Sequence, residues 1–161
     1  MKRLLVMRHA KSSWKSDAPT DHARPLNGRG RKAAPLMGEM LAELGWCPDT
    51  VLCSDAQRAR ETWERCAPRL PSPARVRFTG DLYFSGFEVL IATLEATPED
   101  CGTLLTIGHN PTWERLVAWL CGQDVVMKTA YVALLEAPIE HWSDGFRTPE
   151  RWTLLQILGP R

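Results

Sequence analysis

Leu4-Leu5-Val6-Met7-Arg8-His9-Ala10 lies near the start of the chain, four apolar residues in a row that run into an arginine and a histidine. A short apolar run bounded by charge is the pattern of a strand buried on both faces. Neither Arg8 nor His9 can follow that run into a core without a partner. A strand that delivers them at its C-terminal end puts them where open α/β sheets bind ligands. An arginine fork recognises phosphate or carboxylate, and a histidine can be nucleophile, general base or metal ligand. One such pair could equally be two solvated residues after a strand, so the decision rests on the rest of the chain.

Lys11 to His22 is polar and without a period, a loop whose length at the mouth of a sheet suggests function. Arg24-Pro25-Leu26-Asn27-Gly28 punctuates its end. Ala33, Ala34, Met37, Leu41 and Leu44 then share one helical face, with Gly45 as a stop. Pro35 inside that face implies either a kink or a helix that begins nearer Lys32. Thr50 to Cys53 reads as a second buried strand. It runs into Ser54-Asp55-Ala56-Gln57, a Ser-x-x-Gln capping box opening a helix whose inner face is Ala59, Thr62, Trp63 and Cys66. Val76 to Thr79 is a third strand, and Ser85-Gly86-Phe87-Glu88 a second capping box ahead of an apolar helix. Thr103 to Ile107 is a further strand. After it, Asn110 is placed as N-cap and Pro111 at the first helical position. Trp113, Leu116, Val117 and Leu120 give that helix its apolar face, and Gly122 closes it. Ala130–Leu135 and Trp152–Leu158 complete the strands, joined by a long polar loop. Strands alternating with helices predict an α/β fold, a three-layer sandwich around a mostly parallel central sheet.

The chain has 161 residues, the size of one domain spanning 1–161. Its apolar and charged fractions, 44% and 24%, are those of an ordinary globule. A formal charge of +1 gives no basis for non-specific nucleic-acid or membrane binding. Met1-Lys2-Arg3 and the apolar run after it are too short for a signal-peptide core, and no stretch approaches membrane-spanning length. Cys47, Cys53, Cys66, Cys101 and Cys121 are odd in number and form no Cys-x-x-Cys pair, so they read as reduced, mostly buried thiols of a cytoplasmic protein.

Three strand-to-helix junctions carry the residues that stand out. The first ends in Arg8-His9, the second has Arg58 in its opening helical turn, and the third presents His109 just before a helix. In a parallel sheet all three lie along one carboxyl edge. Two guanidinium forks, two imidazoles and several helix N-termini then converge on a site suited to a small dianion, above all a phosphoryl group.

These residues carry a family resemblance. Arg8-His9-Ala10 resembles the Arg-His-Gly signature of the histidine phosphatase superfamily, whose fold is phosphoglycerate mutase-like. Ser54-Asp55-Ala56-Gln57-Arg58-Ala59-Arg60-Glu61-Thr62 resembles its second signature, Ser-x-x-x-Arg-Ala-x-x-Thr. Gly108-His109-Asn110-Pro111 resembles its late Gly-His motif, and Arg24-Pro25-Leu26-Asn27 with Gly30 its Pro-Leu-Thr-x-x-Gly segment. The order agrees and the match spans essentially the whole chain. The short length and the Arg-His-Ala-Lys-Ser-Ser-Trp opening are most similar to the SixA type of protein phosphohistidine phosphatase.

The resemblance implies a phosphatase that works through a phosphohistidine intermediate on His9. Arg8 and Arg58 would clamp the phosphoryl oxygens, His109 would donate to them as charge builds, and Ser12 would join in binding the substrate. No metal and no cofactor are implied. The expected partner is a phosphorylated protein or a small phosphoester, with no nucleic acid and no membrane, and the expected state is a monomer. Ala10 departs from the family pattern, so the turn after His9 must avoid positive φ or tolerate it at a cost. The general acid departs further. Many relatives place a glutamate near Asp81-Leu82-Tyr83-Phe84, where this chain has Phe84. Asp81 is then the acid candidate, ahead of Glu88, which the capping box claims, and of Asp17 and Asp21 in the loop. His22 and His141 are expected at the surface, Trp63 and Trp113 in the core, and Trp14 beside the site.

Other readings compete. A phosphatase of the same fold acting on small phosphoesters would share every motif above. A non-catalytic phosphate or phosphopeptide reader would need the arginines but no nucleophile. A cysteine phosphatase would need Cys-x5-Arg, whereas Cys53 gives Cys-x4-Arg58 and Cys-x6-Arg60. A metal held by His9 and His109 would face two arginines and lack a third ligand. A mutase is disfavoured because no insertion is long enough to form a lid that keeps water from a phosphorylated enzyme.

Overall fold

The computed structural model describes residues 1–161, which form strands β1 (Lys2–Arg8), β2 (Thr50–Ser54), β3 (Arg75–Thr79), β4 (Thr103–Gly108), β5 (Val132–Ala137) and β6 (Thr153–Leu158). The helices are α1 (Gly28–Leu44), α2 (Gln57–Cys66), α3 (Phe87–Glu95) and α4 (Thr112–Cys121). All six strands join in one sheet of order β3-β2-β4-β1-β5-β6. β1 pairs parallel with β4, and β2 parallel with both β4 and β3. β5 runs antiparallel to β1 and β6 antiparallel to β5. The sheet is therefore mostly parallel, closed on one side by an antiparallel pair.

The apolar run of β1 is fully buried because it lies between β4 and β5 with helices on both faces. Leu5 and Met7 pack on the side of α1 and α2, against Ala34, Met37, Leu41 and Trp63. Leu4 and Val6 pack on the other side, against Leu90, Leu94, Trp113, Leu116 and Leu120 of α3 and α4. The period-two alternation of a strand thus feeds two separate cores, giving three layers. No helix is long and apolar enough to cross a membrane.

Local structure departs from the sequence expectations where a side chain is taken up by a tertiary partner. α1 begins at Gly28, not near Lys32. Asn27 caps it by accepting from the Gly30 N–H at 3.0 Å, and Pro35 lies inside the helix. Neither capping box forms. Ala56 precedes α2 and Gly86 precedes α3 without any side-chain cap, while Ser85 Oγ donates to the Gly80 carbonyl and Glu88 pairs with Arg147. α4 starts one residue later than expected, at Thr112, and Asn110 uses its amide to donate to the Met127 carbonyl at 2.8 Å.

The segment between β5 and β6 is also not merely a polar loop. It folds Trp142, Phe146 and Trp152 into a stack with centroids 5.9–6.3 Å apart. The indole N–H groups of Trp142 and Trp152 donate to the Cys101 and Gly145 carbonyls, so the rings are buried without stranding a polar group.

Candidate active site

The register of the sheet builds the centre of the site. Arg8 lies opposite Gly108 across the β1–β4 pair, and the His9 N–H donates to the Gly108 carbonyl at 3.0 Å. The next residue on each strand is a histidine. The His9 and His109 rings consequently stand 5.2 Å apart, tilted by 52°. Gly108 is required at this crossing because a Cβ there would meet the Trp113 ring at 2.3 Å. His9 Nδ1 lies 2.7 Å from the Ala10 carbonyl oxygen. Nδ1 is therefore the protonated nitrogen, and Nε2 keeps a free lone pair.

Ala10 is fully buried, is not among the residues with positive φ, and donates its N–H to Thr62 Oγ1 at 3.0 Å. The departure from glycine is thus accommodated without strain. Thr62 Oγ1 in turn donates to the Arg58 carbonyl at 2.7 Å, locking the turn after β1 to α2.

Arg8, His9, Ser12, Arg58 and His109 all line one cavity of about 240 Å³. Arg8 is anchored by Nη1 on the Met127 carbonyl. Arg58 donates from Nη1 to the Asp21 carbonyl at 2.8 Å and from Nη2 to Asp21 Oδ2 at 3.1 Å. Arg24 donates to Asp21 Oδ1 at 3.0 Å and to Ser12 Oγ at 2.9 Å. The Tyr83 hydroxyl donates to Asp21 Oδ2 at 2.6 Å. Asp21 is therefore a hub that holds two guanidinium groups and a phenol around the cavity. Ser54 Oγ, which accepts the Ala56 N–H at 3.2 Å, lies 2.7 Å from His109 Nε2, leaving His109 Nδ1 as the second ring nitrogen.

Only five buried side-chain polar atoms in the protein have no hydrogen-bond partner. Four of them, Arg8 Nε, Arg58 Nε, His109 Nδ1 and Asn110 Oδ1, belong to residues that line this cavity. Buried polar atoms are normally satisfied, so such a concentration marks a place built for a polar ligand.

Asp81 does not line the cavity. It is exposed and lies 3.8 Å from Arg77, four residues earlier. Glu88 is likewise occupied by Arg147. Phe84 does line the cavity, in a left-handed backbone conformation (φ 52°), with its ring 5.0 Å from that of His109. His22 is not simply a surface residue: its Nε2 lies 2.7 Å from Asp55 Oδ1, and its ring meets Tyr83 edge-on. His141 is at the surface, beside Glu99. Trp63 and Trp113 are buried. Trp14 lines the cavity mouth, 76% exposed, under the Arg24 guanidinium at 3.5 Å. Sequence reading misses Tyr83 altogether and takes Arg24 only as part of a motif. Neither carries a local pattern, and both act through contacts with Asp21 from distant segments.

The profile of the histidine phosphatase superfamily (branch 1) matches residues 4–82. Among solved structures, that of the protein histidine phosphatase SixA complexed with tungstate is 26% identical, with a TM-score of 0.83 over 98% of this chain and 97% of that one. A putative phosphohistidine phosphatase SixA from Nakamurella multipartitia is 28% identical, with a TM-score of 0.81 over 99% and 96%. The chain belongs to the histidine phosphatase superfamily. An uncharacterised chloroplastic protein of Arabidopsis thaliana is 34% identical over 171 residues, covering 99% of this chain and 78% of the relative.

In this histidine phosphatase, burial and the surrounding cations set the charge state of the site. Desolvation, reinforced by Arg58, Arg8 and Arg24, pushes His9 down to about 3. Desolvation, with His9 and Arg58 nearby, pushes His109 down to about 2. Both rings are therefore neutral at physiological pH. A neutral imidazole with its Nδ1 proton held by a carbonyl is in the state a nucleophile requires. The Tyr83 hydrogen bond, followed by Arg24 and Arg58, holds the Asp21 carboxyl well below the usual carboxylate range. Arg8, Lys11, Arg24 and Arg58 face this one acidic group across the cavity, an excess of positive charge that suits a dianion. Cys53, by contrast, is buried away from the cavity, and burial pushes its thiol up, which leaves no thiolate for a cysteine mechanism.

The charge state can be checked by pH titration. Free histidine protonates near 6.5. Nitrogen-edited NMR at about pH 5 is therefore expected to show neutral His9 and His109, while His141, raised by Glu99, is protonated. Between the unfolded value and the depressed folded values the unfolded chain binds more protons. His9 and His109 thus destabilise the fold as pH falls from about 6.5 towards about 3. Charged His9 at about pH 5 would contradict the geometry.

Arg58 offers a second check. Charge-assisted hydrogen bonds contribute roughly 1.5–3 kcal/mol each. Arg58→Ala is expected to weaken inhibition by vanadate at least about tenfold. Arg60 donates to the Asp55 carbonyl and lies over Phe78, outside the cavity, so Arg60→Ala should leave inhibition unchanged. Equal losses at the two positions would place the oxyanion elsewhere.

Proposed function

We propose that this chain removes phosphoryl groups from phosphohistidine in proteins, with His9 as the nucleophile. His9 Nε2 attacks phosphorus as the P–N bond to the substrate imidazole breaks; the bonding pair stays on the departing nitrogen, and the other ring nitrogen carries a proton taken from solvent, so neutral imidazole leaves. Water then attacks phospho-His9, releasing phosphate and restoring the neutral ring. Arg8 and Arg58 hold the phosphoryl oxygens, Ser12 orients the rim, and the His109 Nδ1 proton, available when the Ser54 hydroxyl donates to Nε2, stabilises the charge that builds on them. The cations already in place neutralise that charge, so no metal ion enters the scheme.

One observation carries the choice of substrate. The only carboxyl group lining the cavity, Asp21, is held ionised by two arginines and a tyrosine, so the site has no acid to protonate a leaving group. An alkoxide cannot leave without one. Imidazole can, because solvent protonates it near neutral pH. The likeness to SixA structures over nearly the whole chain supports the same reading. A phosphatase of this fold acting on small phosphoesters, and a binding module without turnover, remain the readings to be separated from it. Phosphate release from a panel of phosphohistidine proteins, aryl phosphates and alkyl phosphates separates all three. Turnover confined to esters supports the first of these, and binding without release the second.

A further inference from the structure

Beside the phosphoryl cavity lies a second, larger groove of about 450 Å³, and the two share Lys11 and Thr129 as a common wall. Five cationic side chains line it, Lys11, Arg29, Lys32, Lys128 and Arg161, and no acidic one does. The chain as a whole has 20 basic and 19 acidic residues, so outside the groove acidic groups outnumber basic ones. The positive charge is focused here. Arg161 pairs with Glu43, whereas Lys11, Arg29, Lys32 and Lys128 are in no ion pair.

Their placement also works against local structure. α1 opens with Arg29, Arg31 and Lys32 and has no acidic residue in its first turn. Cations at a helix N-terminus oppose the macrodipole. Arg29 and Lys32 therefore do nothing for the helix that carries them, while their field adds to that of the helix end.

We propose that this groove docks an acidic segment of the substrate protein next to its phosphorylated histidine. The inference rests on the protein-phosphatase reading above, since a small phosphoester would reach no further than the first cavity. The lining favours a polypeptide over a nucleic acid. Between the cations lie Ala33, Leu36 and Pro160, which suit aliphatic stems. Tyr131 is the sole aromatic ring in the lining, whereas single-stranded nucleic acid is bound by stacking successive bases on several such rings.

The test uses two synthetic phosphohistidine peptides that differ only in a flank of Glu or of Gln, with phosphoimidazole as the small substrate. The Glu peptide is expected to have a kcat/KM at least about tenfold higher at low salt, through a lower KM, and to lose that advantage as salt is raised. Arg29→Glu with Lys32→Glu should erase the advantage while phosphoimidazole turnover stays at the wild-type rate. These changes favour the helix dipole, so the fold is not at risk. Equal KM values for the two peptides would overturn the proposal, as would an advantage that survives the charge reversal. Stronger competition by a single-stranded oligonucleotide than by an unphosphorylated Glu peptide would reassign the groove to nucleic acid. Failure to turn over phosphoimidazole would instead defeat the functional reading. In that case binding of the unphosphorylated Glu peptide, with and without the charge reversal, still decides the groove.

Discussion

His9→Ala is expected to abolish phosphate release, by about 10⁴-fold or more, the scale on which hydrolases lose rate when their nucleophile is removed. Three hydrogen bonds fix the residue, two through the backbone and one through the ring. Its own backbone N–H is held by Gly108, its Nδ1 by the Ala10 carbonyl, and the Ala10 N–H by Thr62. That leaves Nε2 as the one reactive atom facing the cations. Quenching a reaction with labelled substrate should accordingly trap a phosphoryl group that is acid-labile, base-stable and located on His9. His109 is expected to carry none, because its Nε2 is engaged by Ser54. Label on a cysteine or serine would sink the mechanism. The variant should keep its fold, since His9 contributes no side-chain bond that another element depends on.

The second large effect concerns the leaving group. A positioned general acid contributes roughly 10²–10⁴-fold, and without one alkyl phosphates should fall behind phosphohistidine in kcat/KM by about that factor or more. Asp81→Asn and Glu88→Gln are each expected to slow phosphohistidine hydrolysis less than about tenfold, since both carboxylates are exposed and paired with surface arginines. Asp21→Asn is a different case. It loosens Arg58 and Arg24, so it should weaken vanadate inhibition and slow phosphohistidine turnover together. An acid would show instead as a loss confined to alkyl phosphates. A hundredfold loss at Asp81 or Glu88 in a folded protein, or comparable turnover of an alkyl phosphate, would contradict the argument.

Much of this site is legible in the order of residues along the chain, for a physical reason. Arg8-His9, Arg58 and His109 each follow a strand, and a parallel sheet brings the C-terminal ends of its strands to one edge whatever else the chain does. The capping boxes mislead because their residues have better tertiary partners. Ser54 bonds His109 and Glu88 pairs with Arg147, and a local pattern cannot show what a distant segment offers. The loop between β5 and β6 misleads in the same way, since Trp142, Phe146 and Trp152 belong to no sustained helical or strand period and meet only in the folded core.

The amino-acid sequence alone therefore determined the alternation of strands and helices, the two-sided burial of β1 and the four residues gathered at the carboxyl edge of the sheet. These depend on hydrophobic period and on position relative to a strand end, both of which are local. Tertiary structure alone decided the rest. It showed that Asp21 ties Arg58, Arg24 and Tyr83 together, that Asp81 stays outside, and that four partnerless polar atoms gather at one cavity. It also showed that the cations of α1 and the Lys128 loop share a groove with that cavity. Those facts are distances between residues far apart in the chain, and no periodicity encodes them.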